Sequence, residues 1–382
     1  MTPSQSPGRP TPHAPVQAVC FVAPSAWPVL SAGPEAVMGG GEVQQVLVAR
    51  ELVRIGLAVS FVVNDFGQDP EAHVAGVTAY RCPFRYLGGP KRFLIPDTLR
   101  LCHLLSRIRP DAILAKGPRA ALLSIGLSAT AIRSPLVKIV QGMEDCEIPP
   151  TRPGNLLYLL GTRLTSHVVF QTEEQKTAAG RNLSLDGSII PNIAHTMPRA
   201  KAWKGRNVDV LWVGGCDDNK QPGAFLDLVE RMPHVRFAMI VAPREDAALL
   251  SRIQARAGAL RNLAYLGFLP YADTLDWFAR SRLLAGTSRH EGFPNVYLQA
   301  WQVGTPVVSL LVDPDNVIKR HGLGRVSGSM AAMQRDVAEL LGSQPLWTQS
   351  AQACERYAAT THAPGRIAAL YVEMLNRLDR SP

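Results

Sequence analysis

The chain has 382 residues, more than one ordinary hydrophobic core needs and enough for two. Hydrophobic residues make up 46% and charged residues 19%, which excludes a disordered chain, and no apolar run reaches membrane-spanning length. The formal net charge of +9, spread over both halves, suits an anionic ligand or surface, and with no nucleic-acid motif beside it a nucleic-acid partner is excluded.

In chain order, residues 1–15 are rich in Pro and Ser and read as a disordered leader. The apolar run that follows is interrupted by Pro24 and Pro28, with Arg9 as the only charge upstream, a poor match to a secretion signal. Cys20, Cys82, Cys102, Cys146, Cys216 and Cys354 form no CxxC pair and no Cys/His cluster of metal spacing, so reduced thiols in a cytoplasmic protein are expected. From residue 16 to 197, "AVCFVA", "AVSFVV", "DAILA", "LVKIV" and "HVVFQT" have strand composition, and "EVQQVLVARELVRIG" is an amphipathic helix that Gly56 ends. Residues 198–206, basic and without periodicity, are the expected linker. From 207 to 360 the same grammar returns in "VDVLWVG", "VRFAMIVA", "RLLAGTS" and "PVVSLLV", and residues 361–382 are expected to form a C-terminal helix packing back on the first domain. The alternation calls for an α/β fold of two Rossmann-like domains, their parallel sheets facing across a cleft with ligand loops beyond the carboxyl ends of the strands.

Four loops, each after an expected strand, carry the chemistry. Gly39, Gly40 and Gly41 precede the amphipathic helix, where backbone N–H groups and the helix N-terminus can meet a phosphate; a plain tight connection fits the same glycines. Lys116 and Arg119 in "LAKGPRAA" are either an anion site or ordinary loop polarity. Lys220 in "VGGCDDNKQ" is either a phosphate partner or a solvated lysine. In "SRHEGFPNVYLQAW", residues 288–301, Glu291, Gly292 and Pro294 precede a helix: Pro294 suits the first helical position, and Gly304 the left-handed residue after the last turn. Val296, Tyr297, Ala300, Trp301 and Val303 form the apolar face of that helix and leave Asn295, Gln299 and Gln302 as a polar stripe. Its N-terminus offers an anion site and Glu291 reaches neutral hydroxyls beside it, two contacts that a sugar phosphate satisfies together; the alternative is a glutamate that caps the helix.

The run "SRHEGFPNVYLQAWQVGTPVVSL" closely resembles the signature of the retaining family 4 glycosyltransferases (glycosyl transferases group 1) of GT-B fold. "GGGE", "PDAILAKGPRAALL", "SHVVFQT", "IIPN", "VLWVGGCDDNK" and "LAYLGF" keep that family's order from about residue 18 to the C-terminus. The resemblance implies a hexosyltransferase-type enzyme of polysaccharide biosynthesis. It would move a sugar from a UDP- or GDP-linked donor to a hydroxyl of a glycan or lipid-linked acceptor, with no metal and no cofactor. It makes Glu291 the holder of the donor sugar, brings Gly292, Phe293, Pro294 and Asn295 near sugar and phosphate, sets Gln299 on the nucleotide ribose, and makes Lys220 the cation of the leaving diphosphate. Gly39, Gly40, Gly41 and Gly214 fall on the donor side, and Lys116, Arg119 and Gln141 on the acceptor side. Retention follows from departure and attack on one face of the sugar, so no enzymic nucleophile is sought.

Three positions depart from the family pattern: Gly215 stands where an arginine is common, Gln141 where a histidine usually precedes glycine, and Gln299 where a second glutamate is usual. Arg289, Arg244 and Arg325 are the candidates to restore the missing cation. The departures keep two alternatives open, a nucleotide-sugar-binding module with reduced or lost turnover and a GT-B sugar-nucleotide epimerase. Residues 81–109 carry seven basic residues and one acidic residue with Phe84, Tyr86, Phe93 and Leu94 interleaved. That pattern suits either peripheral contact with an anionic membrane at its cytoplasmic face or a solvated face over a core helix.

Overall fold

The computed structural model describes residues 14–31, 39–87, 89, 91–117, 119–147 and 153–378; most of the expected leader lies outside them. The first domain is built on an eight-stranded sheet of β1 (Ala18–Val22), β2 (Ala58–Val63), β3 (Glu71–Val74), β4 (Val77–Arg81), β5 (Ala112–Ala115), β6 (Leu136–Ile139), β7 (His167–Phe170) and β8 (Ser188–Ile189). They lie in the order β3-β4-β2-β1-β5-β6-β7-β8, parallel throughout except for the antiparallel pair β3 and β4 at one edge. Ala75 and Gly76 connect that pair with positive φ at both positions, the backbone of a two-residue hairpin turn. The second domain carries six strands, β9 (Val208–Gly215), β10 (Phe237–Ala242), β11 (Leu263–Gly267), β12 (Ser281–Gly286), β13 (Val307–Ser309) and β14 (Gly324–Val326), in the order β11-β10-β9-β12-β13-β14, all parallel.

In each sheet the strand order reverses beside the first strand, between β1 and β5 and between β9 and β12. Connections leave these strand pairs toward opposite sides of the sheet, which opens a crevice beyond their carboxyl ends. The loops after β1, β5, β9 and β12 are the ones that hold Gly39 to Gly41, Lys116 and Arg119, Lys220, and Glu291.

The helix Gly40–Arg54 lies over the first sheet and buries Val46, Val48, Ala49 and Leu52. It ends in paired bonds from Gly56 N–H to the Val53 carbonyl and from Leu57 N–H to the Leu52 carbonyl, with Gly56 left-handed, so its last carbonyls are satisfied. The C-terminal helix Pro364–Asn376 packs against it and adds Ile367, Ala368, Tyr371 and Leu375 to the first domain's core, where Phe21 and Phe61 stack. Each large aliphatic or aromatic side chain among them contributes about 1.5 to 3 kcal/mol by burial. Residues 362–376 thereby return the chain from the second domain to the first, after the helix Gln344–Thr361 has packed on the helix Asn295–Gln302. The two crossing segments touch, since Ala194 N–H donates to the His362 carbonyl at 2.9 Å and His362 Nδ1 lies 2.6 Å from the Asn192 carbonyl.

Trp203 and Arg206 belong to the second domain's packing. Trp203 meets Trp347 edge to face, and the buried Arg206 guanidinium donates to the carbonyls of Ser281, Val303 and Gly304 and to the Thr305 hydroxyl. Such a set of acceptors is what a buried guanidinium needs to offset its desolvation.

Candidate functional site

A cleft of about 370 Å³ lies between the two sheets' carboxyl ends, lined from the first domain by Gly40, Gly41, Lys116 and Gln141 and from the second by Gly214, Gly215, Lys220, Glu291 to Val296, and Gln299. On the second domain's side the loop after β9 is tied to the loop after β12. Asn219 is the tie: its Nδ2 donates to the His290 carbonyl at 2.9 Å, its Oδ1 accepts from His290 N–H at 3.1 Å, and its carbonyl accepts from Arg289 N–H at 2.8 Å. Thr287 Oγ1 donates to the Lys220 carbonyl at 2.7 Å and accepts from the Trp212 indole at 2.8 Å. Within this frame Lys220 Nζ and Glu291 Oε1 form a close ion pair. Glu291 therefore does not cap the following helix, which has no side-chain cap at all.

That helix runs Asn295–Gln302. Pro294 sits one position earlier than the sequence suggests, as the cap with extended ψ, and its carbonyl accepts the first bond, from Tyr297 N–H. Pro294 has no N–H to offer, and among the described residues no acceptor meets the N–H groups of Gly292, Phe293, Asn295 and Val296. Such unpaired donors at a helix N-terminus, beside a carboxylate–ammonium pair, suit an anion with neutral hydroxyls attached. The Phe293 ring is structural, packed on Trp301 and His362, so only the backbone of this residue bears on a ligand. Gly304 is left-handed after the last turn, at φ +64°.

The first domain meets this edge closely. A Cβ on Gly40 would lie 2.4 Å from Asn295 Nδ2, and one on Gly292 would lie 2.2 Å from Gln175 Nε2 and 3.1 Å from the Gln141 carbonyl, so at both glycines the backbone of one domain lies against side chains of the other. Asn192 Nδ2 also donates to Asn295 Oδ1 at 2.9 Å. The N-terminus of the helix Gly40–Arg54 thus points at the same space as that of the helix Asn295–Gln302.

Lys116 is 4% exposed and borders the cleft beside Gly41; burial first, against the attraction of Glu42 and Asp145, brings its pKa down to about 8. Arg119 is not part of the lining. It donates to Asp145 Oδ1 at 3.2 Å, and Lys138 and the Gln141 N–H share the other carboxylate oxygen. Of the three arginines that are candidates to restore a cation near Gly215, only Arg244 lines the cleft. Arg325 pairs with Glu339, and Arg289 donates to Gln221 Oε1 once that amide is oriented to satisfy both its ends.

Gln299 is almost wholly buried; its Nε2 donates to Tyr271 Oη at 3.2 Å while its Oε1 has no protein donor among the described residues. Tyr271 Oη also meets His195 Nδ1, whose other ring nitrogen lies 3.3 Å from Gln44 Nε2, and Gln302 bonds the His195 backbone at both N–H and carbonyl. Burial brings the His195 pKa down to about 4 and pushes the Tyr271 hydroxyl up, so both are neutral near pH 7. Tyr271, His195 and Asn219 escape a motif reading because each acts through the tertiary pairing of distant loops; the polar stripe Asn295, Gln299 and Gln302 is the one signal that points toward them. Among the described residues there is no cluster of His, Cys, Asp and Glu able to hold a metal ion, and no helix long and apolar enough to cross a membrane.

Residues 207–343 match the family described as Glycosyl transferases group 1. The chain is 24% identical over 262 residues to the lipopolysaccharide core biosynthesis glycosyltransferase LpsE of Rhizobium meliloti (strain 1021), covering 65% of this chain and 71% of that protein. In overall structure it is similar to HepE of Anabaena in complex with UDP and glucose, with a TM-score of 0.74 at 17% identity over 95% of this chain and 100% of that one. It is similar also to sucrose-phosphate synthase of Thermosynechococcus elongatus, with a TM-score of 0.72 at 12% identity over 94% and 98%. These likenesses identify the two-domain architecture as the GT-B fold.

Proposed function

We propose that this chain, a glycosyltransferase of EC 2.4 class with a group 1 domain on a GT-B fold, transfers a sugar with retention from a nucleotide diphosphate donor to a hydroxyl of a glycan or lipid-linked acceptor. One observation carries the reading: the Lys220–Glu291 pair lies beside an uncapped helix N-terminus, facing a second helix N-terminus across the cleft. In the proposed reaction the bond from the sugar's C1 to the phosphate oxygen breaks and a bond from C1 to the acceptor oxygen forms on the same face. The acceptor proton passes to the departing phosphate oxygen. Negative charge grows on the diphosphate, where Lys220 and the helix N–H groups stabilise it, and Glu291 holds sugar hydroxyls. Gln299 Oε1 accepts from a ribose hydroxyl. The nucleotide sugar is a co-substrate, and the scheme calls for no resident metal or cofactor.

The polysaccharide role of LpsE supports a saccharide acceptor, and the UDP bound in HepE supports a UDP-linked donor. A thermal-shift screen against UDP, GDP, ADP and their sugars tests the donor; if none raises the melting temperature, the reading loses its main support. NMR of the product's anomeric configuration tests retention.

The acceptor reading extends to the surface of the first domain. Helices Leu94–Ile108, Leu122–Ala131 and Pro153–Thr162 pack side by side and expose Ile95, Leu99, Leu127, Leu156 and Leu160. Arg85 and Arg100 flank this surface, both paired to the buried Asp97, and Arg92 is exposed nearby. An apolar face with arginines beside it fits an anionic bilayer at the cytoplasmic face, where a lipid-linked acceptor would be presented. Flotation with liposomes containing anionic lipid is expected for the wild type and not for Ile95→Asp/Leu99→Asp; equal behaviour of the two proteins would remove membrane contact from the scheme.

A further inference from the structure

Arg244 follows β10, two residues past the register pair Ala242 and Gly215 that joins this strand to the end of β9. Its side chain folds back over Gly215: a Cβ at 215 would lie 2.6 Å from Arg244 Nε and 3.3 Å from its Cγ, with Asp217 Oδ2 at 3.0 Å beside them. The backbone does not call for glycine here, since Gly215 is outside the left-handed region. What the missing side chain provides is room for a guanidinium.

The charge brought into that room is loosely held. The closest carboxylate, Asp217, stands 4.0 Å from Nε; among the described residues the guanidinium makes no hydrogen bond, and its side chain is 45% exposed. The other cations that line the cleft are committed or sequestered. Lys220 is neutralised by Glu291, and Lys116 is buried. A ligand with two phosphates needs more positive charge than the neutral Lys220–Glu291 pair supplies, and a guanidinium fork suits phosphate oxygens.

We propose that Arg244, reaching over Gly215 from the loop after the neighbouring strand, binds the phosphate that distinguishes a nucleoside diphosphate from a monophosphate, and that position 215 is glycine to admit it. The inference rests on the donor reading above. It places the second diphosphate cation in a loop where no motif marks it, and it makes the arginine missing at 215 a relocation of charge.

Calorimetric titration with UDP, UMP, GDP and GMP tests it. Arg244→Ala is expected to weaken the bound diphosphate about ten- to a hundredfold and the matching monophosphate less than about threefold, with Arg244→Lys in between. Gly215→Ala should reproduce part of the loss by displacing the guanidinium, and should add nothing when combined with Arg244→Ala. If the wild type binds a diphosphate and Arg244→Ala leaves its diphosphate-to-monophosphate ratio unchanged, the inference falls and the donor reading stands. A Gly215→Ala loss that persists in full on top of Arg244→Ala overturns it equally. Wild-type protein that binds none of the four, and no ADP either, overturns the donor reading and the inference together.

Discussion

Lys220 and Glu291, 71 positions apart in the chain, are joined as an ion pair because Asn219 and Thr287 hold the loop after β9 against the loop after β12. Their expected roles differ. Lys220→Ala should lower kcat on the order of a hundredfold while raising the nucleoside diphosphate Kd less than tenfold, because the charge it meets is largest in the transition state. Glu291→Gln should nearly abolish transfer without weakening nucleoside diphosphate binding, since this carboxylate holds the sugar, which the nucleoside diphosphate lacks. Wild-type kcat in Lys220→Ala would return this lysine to a purely structural pairing.

The pair also predicts non-additivity. Lys220→Ala leaves the Glu291 carboxylate, 15% exposed, without its counter-ion and close to the anion site. Adding Glu291→Gln removes that repulsion, so the double variant should bind nucleoside diphosphate more tightly than Lys220→Ala alone, by roughly three- to tenfold. Equal or weaker binding by the double variant would mean that the carboxylate does not face the phosphates.

Gln299 offers its carbonyl oxygen to the cleft while Tyr271 holds its amide nitrogen. A carboxylate there would accept stronger, charge-assisted bonds from a ribose, about 1.5 to 3 kcal/mol against about 0.5 to 1.5 for the amide, yet the diphosphate would repel it. Since the effects oppose each other, Gln299→Glu should change the donor KM by less than about tenfold. Gln299→Ala should do worse, because it removes the acceptor and leaves the Tyr271 hydroxyl without this donor. An alanine variant with parental donor KM and nucleoside diphosphate Kd would show that Gln299 does not touch the ribose.

Lys116 predicts a pH effect on stability. Its pKa of about 8 in the folded chain lies below the ordinary lysine value near 10.5, so the unfolded chain binds the extra proton between these limits. The folded state is therefore penalised below pH 8, by about 3 kcal/mol at most, and relieved as the pH rises through that window. Lys116→Met should be more stable than the wild type in denaturant titrations at pH 7, and its advantage should shrink by pH 9.5. An advantage independent of pH would place the Lys116 ammonium in water.

Much of this was legible in the sequence because parallel sheets buried on both faces read as continuous apolar runs, and because Gly56 and Gly304 punctuate helices by their backbone geometry. The four loops stood out for the same reason, each following such a run. The hairpin β3–β4 did not: its turn is Ala75-Gly76, without the Asn or Asp that usually marks a left-handed turn, and its outer strand β3 is half exposed at the sheet's edge. Short β8 and β14 and the partly exposed β11 lacked the apolar density that marked the central strands. Arg119 looked equivalent to Lys116 in "LAKGPRAA", yet Asp145, 26 residues on, takes it out of the cleft. Sequence spacing fixes which residues share a loop; which of them turns inward depends on partners from elsewhere in the chain.

The main chain passes between the domains near residues 192–195 and again near 362–364, and the two passages lie side by side, bonded through Ala194 and His362. A doubled crossing of this kind is a spine with two stitches, joining the halves at two neighbouring points. With the halves so joined, Gly40 is seated beside Asn295, and the alignment of the two helix ends belongs to the fold itself.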